Sequence, residues 1–368
     1  MRVVAFYHSL LSDWNHGNAH FLRGVVAELL SRGHQVAVYE PRDAWSLQNL
    51  IEHHGDVPLQ RFRQIYPEVA ATSVRYDAAS LDLDAALDGA EAVLVHEWSD
   101  HALVARIGAH HKQSRGRYRL LFHDTHHRAI TAPQQMSAYD LSNYDGVLAY
   151  GAVLRDLYLE RGWAKQAWTW HEAADTRVFH PPPVDDPKLR VGDVVWIGNW
   201  GDDERTAELH EFLIDPIADL KLKARVHGVR YPEFAQKALA DAGIEYAGWL
   251  ANFDAPSTFA RFKVTVHVPR RPYVQALRGI PTIRPFEALA CGIPMISAPW
   301  EDVEGLFTVG RDYLVAKDGQ DMRRHLKLLV NDASARAELT SHGLQTIRAK
   351  HTCGHRVDQL LGILKEMP

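Results

Sequence analysis

The strongest constraint on this chain is a rhythm that stops and then starts again. It opens with an apolar run, "RVVAFYH" (2–8), then the helical "AHFLRGVVAELLSRG" (19–33) with Gly33 as its stop, then "QVAVYE" (35–40). "AEAVLVHEW", "YRLLFHD", "YDGVLAYG" with the helical "AVLRDLYLERG", and "QAWTWHEAAD" continue the pattern. Short apolar strands separated by helices predict a parallel sheet covered on both faces. The run "FHPPPVDDPKLRVGD" interrupts it: Pro181, Pro182 and Pro183, with Asp185, Asp186 and Pro187 behind them, suit neither a helix nor a central strand. The rhythm then resumes. "DVVWIGNW", "KARVHGV", "IEYAG", "KVTVHVP" and "DYLVA" read as strands, "ERTAELHEFLIDPIADL" and "PSTFARF" as helices, and three more helices follow from about residue 319.

At 368 residues the chain exceeds what one core usually organises. The expected fold is α/β, with two doubly wound Rossmann-like domains facing a cleft at the C-terminal ends of their sheets. The boundaries expected are 1–180, a proline-rich linker at 181–192, 193–350, and a C-terminal helix at 351–368.

A net charge of −5 gives no global field for nucleic acid or an anionic membrane. The basic run "HHKQSRGRYR" (110–119) reads as a solvated loop before a strand. Two cysteines, Cys291 and Cys353, cannot build a disulfide framework. "MRVVAFYHSLL" reads as a strand rather than a signal segment, and no apolar run approaches the ~20 residues of a membrane span. A soluble, cytoplasmic protein is expected. The 22 histidines include the doublets His53-His54, His110-His111 and His126-His127, but none has the helical spacing of a zinc site, so no metal is expected. The first β→α loop, "HSLLSDWNHGNAH", holds only Gly17, so the G-x-G-x-x-G fingerprint of a dinucleotide site is absent.

"TIRPFEALACGIPMIS" (282–297) concentrates the chemistry. Pro285 suits a first helical position, and Gly292 suits a left-handed stop. Glu287 then has two readings. It complements the helix's positive end, or it accepts hydrogen bonds from a sugar's vicinal hydroxyls while the helix terminus and Arg284 meet phosphate.

The segment "RPFEALACGIPMIS" resembles the donor site of GT-B glycosyltransferases, in particular the family 4-like enzymes and the CgeB-like (spore-maturation) branch. "EAADTRVFHP" (172–181) resembles the segment with which such enzymes close the N-terminal domain. "WIGNWGDDERTAEL" (196–209), with Gly198 and Asn199, is similar to the first strand and loop of their C-terminal domain. The resemblance implies transfer of a sugar from a nucleoside diphosphate donor, with Glu287 on the donor ribose and no cofactor or metal required. Family 4 enzymes usually carry a second Glu eight positions earlier; here that position is Gly279, which fits the CgeB-like branch better. In such enzymes the terminal helix packs back on the first domain, and the stripe Val357, Leu360, Leu361 and Leu364 suits that role.

Without a metal, negative charge growing on the leaving diphosphate must be met by cations and N–H dipoles. Arg205, Arg270, Arg271, Arg278 and Arg284 are the candidates; Asp202-Asp203 reads as a helix-start feature. In the first domain, polar residues follow the strands in "SDWNHGN" (12–18), "HEWSDH" (96–101) and "HDTHHR" (123–128). His96, Glu97, His123 and Asp124 are candidates for acceptor binding or proton transfer, with capping the alternative for Asp124 and Thr125. Gly17, beside Asp13 and Asn18, resembles a glycine near acceptor and phosphate in related transferases. The resemblance implies a retaining, front-face reaction; inversion would instead call for a base, with His96, Asp124 or Asp13 available. The acceptor class stays open among sugar, lipid-linked glycan, protein and small molecule, with neither nucleic acid nor membrane insertion expected. A nucleotide-sugar 2-epimerase and a non-catalytic nucleotide-sugar or glycan-binding protein are the competing readings.

Overall fold

A computed structural model describes every residue except Val184, Asp185 and Pro368. Part of the expected linker and the last residue of the expected terminal helix therefore lie outside the described residues. The chain forms two compact units, one of residues 1–172 with the segment from Cys353 onward, the other Ala173–Thr352.

The first unit holds seven strands: β1 (Arg2–Phe6), β2 (Gln35–Pro41), β3 (Ser73–Tyr76), β4 (Ala92–His96), β5 (Arg119–Asp124), β6 (Gly146–Ala149) and β7 (Ala167–Thr169). Their order is β3-β2-β1-β4-β5-β6-β7, all parallel, with Val3 opposite Val36 on one side and Ala92 on the other. Val3, Val4, Ala5 and Phe6, like Val93, Leu94 and Val95, are wholly buried, as strands covered on both faces require. β3 is an edge strand absent from the sequence reading.

The helix Cys353–Glu366 belongs to this unit and packs on the helix Ala19–Ser31. It buries Cys353, Val357, Leu360 and Ile363, a stripe turned slightly from the expected one, with Leu361 and Leu364 half-buried. Arg32 Nη1 reaches Asp358 at 2.5 Å, and Trp170 Nε1 donates to the Arg356 carbonyl at 2.8 Å.

The second unit holds β8 (Val194–Ile197), β9 (Ala224–His227), β10 (Glu245–Tyr246), β11 (Val264–His267), β12 (Met295–Ser297) and β13 (Leu314–Val315), ordered β10-β9-β8-β11-β12-β13 and again parallel. Val194 and Trp196 enter one core, with Val226, Val264 and Leu326; Val195 and Ile197 enter the other, with Phe259, Phe286 and Leu289. That two-residue alternation is how one strand serves two helical layers.

The first unit ends at Glu172, before the expected residue 180. Ala174 pairs with Thr352 and donates to the His351 carbonyl at 2.9 Å, and Phe179 is buried in the second core. The proline-rich run thus lies inside the second unit, where Val191 N donates to the Arg261 carbonyl at 2.8 Å. Prolines break a strand or helix, but buried neighbours such as Phe179 decide where a domain begins.

Candidate functional site

In the second unit the strand order reverses between β8 and β11, so the loops after these strands diverge and leave a crevice at their C-terminal ends. Arg205 bridges the two loops. Its Nη1 donates to the Val268 carbonyl at 2.7 Å, Nε to the Trp200 carbonyl at 3.3 Å, and Nη2 to the Asn199 carbonyl. The guanidinium lies 5.2 Å from the centre of the Trp196 ring. Burial first, and then the neighbouring Arg270, push its pKa down, yet a guanidinium keeps its charge at neutral pH.

Arg270 also approaches Gly201. A Cβ on that glycine would lie 3.0 Å from Arg205 Nε and 3.3 Å from Arg270 Nε, and its φ of +84° suits glycine. Arg284, on the helix Ile283–Ala290, lies within electrostatic reach of Arg205, adding slightly to the lowering of its pKa, and acts with Arg205 on His267. Burial, Arg205 and Arg284 together lower the His267 pKa to about 3, so this imidazole, 3.0 Å from Ser297 Oγ, is neutral. Three cations from separate segments therefore converge on one crevice.

Carboxylates offset part of that charge. Glu204 accepts from Arg270 at 2.8 Å, and buried Glu287 accepts from Arg284 and, at 2.8 Å, from Asn252 Nδ2. Arg271 is paired with Glu208 at 2.7 Å, and exposed Arg278 with Glu301. The helix begins at Ile283, so Pro285 is not its first residue and the first turn contains no acid. Glu287 therefore does not complement the helix terminus; it binds Arg284 and Asn252.

The crevice floor depends on glycine. A Cβ at Gly228 would fall 2.1 Å from the Gly198 carbonyl oxygen, so the loops after β8 and β9 meet only because position 228 has no side chain. Tyr231 Oη donates to the same Gly198 oxygen at 2.8 Å, and Val229 N to Asn199 Oδ1 at 2.9 Å. Gly228→Ala is expected to part these loops and destabilise the fold by about 1–3 kcal/mol, read as a lower urea midpoint at unchanged m. An unchanged midpoint would show that the contact is slack.

The first unit reverses its strand order between β1 and β4. The loop after β1 is pinned from below. Buried Glu40 accepts from Leu10 N at 2.6 Å and Leu11 N at 3.1 Å, while buried Arg23 donates to the Leu10 carbonyl at 2.8 Å and to Asp13 at 2.9 Å. Four buried imidazoles cross the strand ends, with centroids 5.7 Å apart from His8 to His16, 6.2 Å from His16 to His96 and 5.5 Å from His96 to His123. Burial drives all four pKa values down, that of His8 to about 4 and that of His123 to about 3. Beside them, Glu97 is paired with Arg128, and Asp124 accepts from Tyr158 Oη at 2.7 Å and His126 N at 3.0 Å. Desolvation raises Glu97 to about 8 and Asp124 to about 6.

Among the described residues, no group of three or more His, Cys, Asp or Glu is arranged to hold a metal ion, and no helix is long and apolar enough to cross a membrane. Residues 205–362 match the model of the family described as "glycosyl transferase-like". No curated protein matches by sequence. Three solved structures share the architecture over essentially the whole chain. Anabaena Alr3699/HepE in complex with UDP and glucose has a TM-score of 0.68 at 14% identity, covering 100% of both chains. An alpha-glucosyltransferase (AGT) in complex with UDP has 0.68 at 10%, again covering 100% of both. T4 phage BGT in complex with UDP-glucose has 0.59 at 11%, covering 100% of this chain and 99% of that one.

The fold is GT-B.

Within this GT-B chain, the crevice of the second unit gathers Gly198, Asn199, Arg205, Arg270, Arg284 and Glu287, and leaves Arg278 outside the contacts that join them. In the first unit His96, Glu97, His123 and Asp124 are all 0% exposed. Rather than standing in open loops, they lie under the strand ends: His123 packs against Phe21 and Trp170, and His96 Nε2 lies 3.1 Å from Thr125 Oγ1. Asp13 is committed to Arg23, Asn18 donates to Thr125, and Gly17 is exposed just before the helix at Ala19. Beside these lie His8, His16, Trp45 and Trp98, which were not among the candidates from the sequence. Their signal was available: Trp98 lies just beyond an apolar strand, where doubly wound sheets bind ligands.

Proposed function

We propose that this protein transfers a glycosyl group from a nucleoside diphosphate sugar to an acceptor hydroxyl. The convergence of Arg205, Arg270 and Arg284 at the β8–β11 crevice carries the reading. Arg205 is bonded to backbone carbonyls rather than to a carboxylate, while Arg270 and Arg284 are held by Glu204 and Glu287, so a diphosphate at this topological switch point would meet one cation directly and two by exchange of partners. The match to a glycosyl transferase-like family and the UDP or UDP-glucose in the similar structures agree.

In this reading donor binding exchanges partners. The diphosphate takes Arg270 and Arg284, now held by Glu204 and Glu287, while the ribose hydroxyls donate to Glu287 in their place. The acceptor oxygen bonds to the anomeric carbon, the bond from that carbon to the β-phosphate oxygen breaks, and the cations stabilise the leaving diphosphate. For the retaining, metal-independent course, the acceptor's proton passes to the departing phosphate oxygen. Assignment to the CgeB-like branch is supported by Gly279: its φ of +93° disfavours any side chain, and a Cβ there would lie 2.7 Å from Val303 Cγ2, so the second Glu of family 4 enzymes would be strained at this position.

Incubation with UDP-glucose and other nucleotide sugars tests the proposal by diphosphate release. Arg270→Ala is expected to lower kcat about 10²–10³-fold with the fold intact. A folded protein that binds no nucleoside diphosphate would overturn the reading. Conversion of the donor into its C2-inverted isomer without acceptor would establish an epimerase instead.

A further inference from the structure

The two units differ in electrostatics at equivalent places. At the switch point of the second unit stand three arginines, two of them paired with carboxylates; at that of the first, between β1 and β4, both arginines are paired with carboxylates and the imidazoles are neutral. Arg23 is matched by Asp13, Arg128 by Glu97, and the imidazoles of His8, His16 and His96 are uncharged at neutral pH because they are buried. The acid acting on His8 is Asp43, which adds negative rather than positive charge.

Two indoles flank His8. Its ring lies 5.0 Å from Trp45 and 6.4 Å from Trp98, centre to centre, and both tryptophans are only half-buried. Trp98 is held from one side by the Arg128 guanidinium, 4.0 Å from the ring centre. His8 and His16 are at least 94% buried, yet the Nε2 atom of each lacks a hydrogen-bond partner. Such atoms are expensive to enclose unless something meets them.

We propose that this crevice is the acceptor subsite and takes an uncharged sugar, which stacks on Trp45 and Trp98 and hydrogen-bonds to His8 and His16. The assignment rests on the glycosyltransfer reading above and adds the class of acceptor. A pyranose has an apolar C–H face that suits an indole and a rim of hydroxyls that each donate and accept. The unmet Nε2 of a neutral imidazole offers one donor or one acceptor, according to its tautomer, and a hydroxyl answers either. An anionic acceptor would find no unpaired cation among these residues. A purely apolar acceptor would leave both Nε2 atoms unmet.

Tryptophan fluorescence of the full chain, titrated with methyl α-glucoside, methyl α-mannoside, methyl α-galactoside and cellobiose, reads the subsite. Glucose 6-phosphate and glucuronate serve as anionic counterparts. Saturable binding of at least one neutral sugar is expected, about tenfold or more tighter than its anionic counterpart and weakened by about tenfold in His8→Ala and Trp98→Leu. Circular dichroism checks that each variant folds, and Trp45→Leu replaces one that does not. The proposal fails if no neutral sugar binds, if the anions bind more tightly, or if the folded variants bind as the wild type does. UDP titrated into the same wild-type protein separates the two ideas. Binding of UDP, or of GDP, ADP or dTDP titrated in its place, without neutral-sugar binding overturns the acceptor class alone, whereas absence of binding by all four overturns the glycosyltransfer reading on which it rests.

Discussion

Glu287→Ala is expected to abolish donor binding and to lower stability by about 3–5 kcal/mol, the usual effect of removing one partner from a buried ion pair. Glu287 is 0% exposed and Arg284 is 17% exposed, so the cation left behind is poorly reached by water. Asn252 loses its carboxylate acceptor as well. The two consequences separate in Glu287→Gln, which keeps the shape and one carbonyl acceptor but removes the charge. That variant should remain folded yet discriminate poorly between the nucleoside diphosphate that binds and its 2′,3′-dideoxy analogue, whereas the wild type is expected to prefer the ribonucleotide by about 10–100-fold. Calorimetric titration of both nucleotides into both proteins decides the point. Equal preference in the wild type would remove Glu287 from the ribose and leave it as the residue that positions Arg284.

Acid should unfold the protein early. Six buried imidazoles, those of His8, His16, His96, His123, His227 and His267, have pKa values well below 6.5. Below pH 6.5 the unfolded chain takes up protons there that the folded chain refuses, so stability falls as pH falls. Glu97 and Asp124 act in the opposite sense. Their folded pKa values are raised to about 8 and 6, so their stabilising contribution is present in acid and is lost as pH rises. Between pH 6 and 5 this leaves a net of about two protons for each unit, or ~3 kcal/mol per pH unit. Against a total of about 5–15 kcal/mol, that loss is large. Melting temperature and urea midpoint measured from pH 7.5 to 5 should both drop steeply below 6.5. A flat profile across that range would mean that the imidazoles are hydrated in solution.

The fold was legible because strand and helix leave different periodicities, and two series of them divide a chain into two sheets. β3 was missed because "SVRY" has no apolar run, its support coming from its neighbour β2. The domain boundary was displaced because proline marks itself in a sequence, whereas the burial of Ala174 and Phe179 in the second core does not. Candidate residues were legible as types following strands. Which of them share a crevice was not, since Arg205, Arg270 and Arg284 meet only after the order β9-β8-β11 is known. Burial was equally hidden: "HEW" does not reveal that His96 and Glu97 turn inward while Trp98 stays partly exposed.

The helix Cys353–Glu366 has a consequence for how the protein is made. It completes the first unit, although its residues follow the whole of the second unit in the sequence. During synthesis the helix Ala19–Ser31 must wait, with its face for Val357, Leu360 and Ile363 uncovered, until some three hundred further residues have left the ribosome. At about 5–20 residues per second, that exposure lasts on the order of 15–60 seconds. The second unit, contiguous in the sequence, has no such delay. Expression strain and temperature should therefore affect the first unit's yield more than the second's.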